Sequence, residues 1–206
     1  FDTGLVNDRS PWNIALHAND ERVERVARFY ARLRMNLLPE LLRQAQIAVT
    51  SRLPMMRHLV LDYPNDVHAQ ACHDAFMLGD LLIAPVLHEG AVGRDVYLPQ
   101  GQWYNFLTRE TFEGGQTLFA EANRDEIPVF LRTPGAVALN LPESLLLGGD
   151  VGNRVDRLNT PVLAVSGKAN VDYADAFGNR AILRDGEIQQ ANLRVLDVSA
   201  LLLAPR

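Results

Sequence analysis

The chain has a single cysteine, Cys72, and a single lysine, Lys168, every other basic residue being arginine. Each scarcity excludes something. One cysteine cannot close an internal disulfide, and with no CxxC pair and no zinc-type spacing of His and Cys the sequence calls for no metal and no cofactor. Such sparing cysteine usage fits a cytoplasmic origin. No apolar run approaches the roughly 20 residues of a membrane span, so a membrane partner is not expected. Acidic residues outnumber basic ones, 25 to 20, and the charges are scattered. A basic stripe that would neutralise phosphates is therefore missing, which excludes nucleic acid as a partner. The start, Phe1-Asp2-Thr3-Gly4, has no methionine, no basic segment and no apolar leader, and it reads as the interior of a longer polypeptide.

What is present is ordinary globular material. Apolar residues make up 48% and charged residues 22% of 206 residues, enough for a packed core in one large domain or two small ones. The segment from Asn19 to about Arg52 has helical periodicity, with Val23, Val26, Ala27, Tyr30, Leu33 and Leu37 on one face. Asn19 or Asp20 is placed to cap it. Glu21/Arg25 and Glu24/Arg28 stand four apart in the favourable acid-first order on the other side. Pro39 predicts a break near Leu38, with Pro39 in the first turn of a second helix. That second piece carries its own apolar stripe at Leu41, Leu42, Ala45 and Val49.

Met55 to Leu61 is short and almost continuously apolar, and is expected to be a strand buried on both faces. A turn-rich exit follows at Asp62-Tyr63-Pro64-Asn65-Asp66. From Phe76 onward short β-type runs alternate with turn signals: 81–87, 95–98, 103–107, 116–121, 127–131 and 136–141, then 161–166, 180–184 and 187–198. A helix feeding one buried strand is half of a βαβ unit and cannot close a parallel sheet alone. The expected fold is thus an α+β fragment: the last helix-strand unit of a (β/α)₈ barrel over 1–75, an antiparallel β-sandwich over 76–145, and a β-rich distal segment over 146–206.

Several residues invite a chemical role. Asp62 and Asp66 are the best-placed acids, yet Asx residues after a strand and beside a proline are also ordinary turn formers. Cys72-His73-Asp74 lists a nucleophile, a base and an orienter in a row, but sequence neighbours rarely converge on one reacting atom. His58, His68, His73 and His88 show no metal-binding spacing. Gly114-Gly115 and Gly148-Gly149 precede neither GK[ST] nor a helix, so they are turns rather than phosphate loops. Trp103 and Tyr104 are either core residues of a half-buried strand or an exposed platform for a sugar ring.

Three blocks resemble glycoside hydrolase family 31, the α-glucosidase and α-xylosidase family. They are Asn7-Asp8-Arg9-Ser10-Pro11-Trp12 with the helix from Arg28 to Pro39, then Leu53-Pro54-Met55-Met56-Arg57, then Phe76 to Leu87 continued by Tyr97 to Tyr104. Together they cover about residues 1–140 and are similar to the end of that family's barrel and the sandwich after it. The resemblance implies a retaining mechanism with an Asp nucleophile and an Asp acid/base, both on earlier barrel strands. It therefore assigns no catalytic residue in this chain. Carbohydrate would be the substrate of the intact enzyme, the missing N-terminal barrel portion of the same protein the structural partner, and Asp8 and Trp12 the residues nearest the sugar. The sequence departs from the family where Gly4-Leu5-Val6 replaces a customary His, where Glu40 replaces a Tyr, and where His58 replaces a Pro. These mark a divergent branch. The competing reading from the residues alone is a free-standing β-sandwich module that binds carbohydrate without catalysis.

Overall fold

A computed structural model describes residues 9–205. The chain begins with three helices, α1 (Pro11–Ala18), α2 (Arg22–Asn36) and α3 (Leu38–Ser51). Ser10 caps α1 by accepting from the Asn13 amide, and Pro11 occupies its first turn. Asn19 takes the left-handed conformation that closes α1, and the Asp20 carboxylate accepts from the Arg22 amide at 3.0 Å at the start of α2. The break falls at Leu37, with Pro39 in the first turn of α3 as expected.

Short elements follow: β1 (Met56–Arg57), α4 (Leu59–Asp62) and α5 (Val67–Ala71). Here the structure corrects the sequence. Met55 to Leu61 is not one buried strand but a two-residue strand followed by a helical turn. His58 is the reason: its Nδ1 accepts the Val60 amide at 3.1 Å and so starts a turn where the ladder would have continued. Moreover, β1 pairs antiparallel, with β2.

The remainder is β2 (Phe76–Leu78), β3 (Leu81–Ile83), β4 (Gly93–Leu98), β5 (Gln102–Asn105), β6 (Thr111–Glu113), β7 (Gln116–Glu121), β8 (Val129–Thr133), β9 (Gly135–Leu141) and β10 (Leu146–Leu147). Then come β11 (Thr160–Ser166), β12 (Val171–Ala174), β13 (Arg180–Arg184), β14 (Glu187–Ala191), β15 (Arg194–Asp197), a 3₁₀ turn at Val198–Ala200 and β16 (Leu202–Leu203). The molecule is mixed α+β with several antiparallel sheets. One sheet has the order β1-β2-β3-β8-β5-β6, and β4 pairs with β7. Leu59, Met77, Leu82, Val96, Leu98, Trp103 and Phe130 fill the core between them.

A three-stranded sheet has the order β15-β11-β9. Seven residue pairs join β9 to β11, from Thr160 opposite Leu141 to Ser166 opposite Gly135. Alternation sends Val137, Leu139, Leu141, Val162 and Ala164 toward a core shared with Leu33 of α2 and Leu37 at the α2–α3 junction. It sends Ala136, Ala138, Leu163 and Val165 to the opposite core with Tyr173, Ala181 and Leu183, on the sheet β12-β13-β14. With both faces covered, all seven residues of β9 are buried.

Candidate functional site

Strand β9 is an outer strand of its sheet, yet its free edge is not exposed. At every second residue a side chain from elsewhere takes the place of a neighbouring strand. Asp80 Oδ2 accepts the Ala136 amide at 3.0 Å, Glu40 Oε2 accepts the Ala138 amide at 3.1 Å, and Asn36 Nδ2 donates to the Asn140 carbonyl at 3.0 Å. Residues 136, 138 and 140 point their backbone groups the same way because the strand period is two. Unpaired, these buried groups would each cost a desolvation penalty. Asn36 of α2, Glu40 of α3 and Asp80 of the β2–β3 turn thus serve as the missing strand.

Glu40 is the centre of this seam. It is 1% exposed and accepts four hydrogen bonds: from Gln44 Nε2 at 2.7 Å, Arg43 Nη2 at 2.8 Å, Arg43 Nε at 3.1 Å and the Ala138 amide. All its lone pairs are engaged, and one arginine balances its charge. Gly79 must be glycine here, since its φ is +60° and a β-carbon on it would lie 2.5 Å from Glu40 Oε1. Asp80 is in turn ion-paired with Arg132.

The acids that the sequence singled out are likewise held by structural partners. Arg57 Nε reaches both oxygens of Asp62, at 3.1 and 3.0 Å. Asp66 caps α5, its Oδ1 accepting the His68 and Ala69 amides and its Oδ2 accepting the Tyr97 hydroxyl at 2.6 Å. Desolvation raises the Asp66 pKa, but the Tyr97 hydroxyl and the two amides outweigh it and hold the carboxyl below its ordinary value. Desolvation and the Asp66 carboxylate together push Tyr97 up to about 12.

Cys72, His73 and Asp74 do not converge. The Cys72 sulfur lies 3.7 Å from Asp74 Oδ1, and burial, reinforced by the Asp74 charge, raises its pKa, which keeps it a thiol. Asp74 pairs with Arg94, while His73 Nδ1 faces His58 Nε2 at 3.2 Å. Because His58 Nδ1 accepts the Val60 amide, Nε2 carries the proton and donates to His73. His68 packs its ring on Tyr97, and His88 stands exposed on the β3–β4 connection. Among the described residues no three His, Cys, Asp or Glu side chains are grouped to hold a metal.

Trp103 is fully buried with its Nε1 donating to the Pro99 carbonyl at 2.8 Å, and Tyr104 is 6% exposed. Both are core, so neither is a sugar platform. Gly114-Gly115 links β6 to β7, and a β-carbon on Gly114 would lie 1.9 Å from the Pro99 carbonyl oxygen. Of the two residues expected near a sugar, Asp8 lies outside the described residues. Trp12 is 65% exposed on α1, a helix with no buried residue.

The sequence of 52–137 matches the profile described as the glycosyl hydrolase family 31 C-terminal domain, which identifies this chain with the C-terminal region of that family. It is 32% identical over 179 residues to an isomaltosyltransferase of Sporosarcina globispora, covering 85% of this chain and 16% of that protein. An α-glucosidase of Bacillus thermoamyloliquefaciens is 34% identical over 132 residues, 64% of this chain and 16% of the relative. The solved cycloalternan-forming enzyme of Listeria monocytogenes, in complex with a pentasaccharide substrate, superposes with a TM-score of 0.81 at 32% identity, over 87% of this chain and 18% of that one. The chain therefore spans less than a fifth of the length of each. Among the described residues no helix is long and apolar enough to cross a membrane.

Proposed function

We propose that these residues are the C-terminal part of a retaining α-glycoside hydrolase of the α-glucosidase/α-xylosidase kind, whose two catalytic aspartates lie upstream. In this reading, residues 1–75 complete the catalytic barrel, 76–145 form the proximal sandwich that braces it, and 146–206 are a distal β-rich segment. The observation that carries it is the family match over 52–137, in a chain whose buried or partly buried acids named above already have structural partners. Asp62, Asp66, Asp80 and Glu40 each neutralise an arginine or cap backbone amides, whereas glycoside hydrolysis needs two carboxyl groups facing a sugar about 5–9.5 Å apart.

Carbohydrate is the substrate of the whole enzyme in this proposal, with Asp8 and Trp12 as its nearest contacts from this chain. The free, buried Cys72 accords with a cytoplasmic setting. The test is turnover of aryl α-glucoside and α-xyloside by the 206-residue chain and by the complete gene product. Activity is expected only in the latter, with a raised KM for Trp12→Ala. Hydrolysis by the 206-residue chain alone would overturn the proposal.

A further inference from the structure

A groove of about 810 Å³ opens between α2 and two loops, the β3–β4 connection at 85–92 and the β7–β8 connection at 122–127. That volume falls within the span of ligand sites, about 300–1,000 Å³. Its floor is apolar and half-buried, built from Val26 and Tyr30 of α2 with Ile127. Its rim is polar and exposed, with His88 and Glu89 on one loop and Arg124 on the other.

The walls are fixed by the protein's own hydrogen bonds. Tyr30 donates its hydroxyl to the Asp125 carbonyl at 2.9 Å and so ties one loop to α2. Within that loop, Glu126 Oε2 accepts the Asn123 amide at 2.8 Å and Asn123 Nδ2 at 3.0 Å. Arg94 pins the other loop by donating to the Pro85 carbonyl at 2.9 Å, and the Ala122 amide joins the two at the Val92 carbonyl, 3.0 Å away. The rim is different. Among the described residues no side-chain hydrogen bond or ion pair engages His88, Glu89 or Arg124. A held frame with uncommitted polar groups along its rim is preorganised for a ligand.

We infer that this groove binds a short stretch of α-linked glucan. The class of ligand rests on the proposed function, and the chemistry of the groove selects it among the alternatives. A sugar ring presents C–H faces and hydroxyl edges, which match an aliphatic and aromatic floor beneath a rim of donors and acceptors. The charges along the groove are of both signs, Arg124 with Glu89, Asp125 and Glu126. An anion such as phosphate would meet three carboxylates for one guanidinium. A lipid chain would desolvate polar groups without pairing them. A neutral, polyhydroxylated ligand meets neither cost.

The test is a titration of the isotope-labelled 206-residue chain with isomaltotriose and with maltotriose, followed through its amide resonances. Saturable shifts are expected at 85–92 and 122–127. Glu89→Ala and Arg124→Ala, at exposed positions, are each expected to weaken binding by about tenfold or more, the loss of a hydrogen bond to a charged group. Unchanged resonances elsewhere show that both variants keep the fold. Inorganic phosphate is expected to move none of these signals, and shifts with phosphate but not with sugar would assign the groove to an anion and overturn the inference. Silence with both trisaccharides, or binding that both variants leave intact, would overturn it too. In the complete gene product the same substitutions are expected to reduce retardation on native gels cast with a soluble α-glucan. Retardation unaltered by both would mean that the groove is covered there, which also overturns the inference. Groove binding in a complete product that turns over no α-glycoside removes the proposed function alone, whereas turnover without groove binding removes this inference alone.

Discussion

Glu40 is a buried acidic residue, and its environment explains how it can be there. Four donors, one of them the backbone of β9, surround a carboxylate that water does not reach. Glu40→Ala would leave the Arg43 guanidinium without its counter-charge and the Ala138 amide without an acceptor. The expected loss is about 3–5 kcal/mol, read from urea unfolding at neutral pH. The Asp66–Tyr97 bond adds a pH dependence at both ends. The Asp66 pKa is lowered by folding, so its contribution is present above the unfolded carboxylate range, about 4, and is lost as pH falls through the folded value. Tyr97 is raised to about 12, so its contribution is complete below the unfolded tyrosine pKa, about 10, and disappears as pH rises through about 12. Asp66→Asn is expected to flatten the stability profile on the acid side and to bring the phenolate absorbance change of Tyr97 to lower pH in an ultraviolet titration. Asp66 was noticeable in the sequence and was open to the turn reading that proved structural. Glu40 stood out only as a departure from a family pattern, because its role depends on a strand about a hundred residues away.

Between elements, α2 and the loop after β10 approach each other closely. Gly148 donates its amide to Asn36 Oδ1 at 2.7 Å, and a β-carbon there would lie 2.2 Å from the Phe29 ring. Its φ of +80° adds a second reason for glycine. Gly148→Ala is therefore expected to destabilise by about 1–3 kcal/mol through overpacking, measured as a lowered thermal midpoint. At this scale much was legible beforehand. The break before Pro39, the ion pairs on α2 and most of the β runs follow from local chemistry. The stretch from Met55 to Leu61 was not legible as it folds, since an apolar run reads alike as strand or helical turn. A histidine accepting one amide decided between them.

Across the whole molecule, β9 and β11 join segments on either side of the Gly-rich stretch at 148–152, and they do so over seven residue pairs. The faces of this pair build two of the three cores among the described residues. Ending the chain at Asp150 removes β11, strips β9 of its ladder and opens both cores. Such a chain is expected to lose cooperative thermal unfolding by circular dichroism, whereas the 206-residue chain should melt in one transition. A truncated chain that melts as sharply as the longer one would show that the β9–β11 pairing adds little.

The division between sequence and tertiary structure follows the range of the forces involved. Composition, helix starts and stops, the alternation of the strands and the family blocks were carried by the sequence, because propensity, capping and motif spacing act within a few residues. The facing of α3 was not. Periodicity shows that a helix has an apolar stripe and a polar side but not which of them meets the core. Here an open strand edge needed acceptors and donors, so the polar side of α3 went in and the apolar stripe out. That choice was made by backbone groups of β9 that only the folded chain brings within reach.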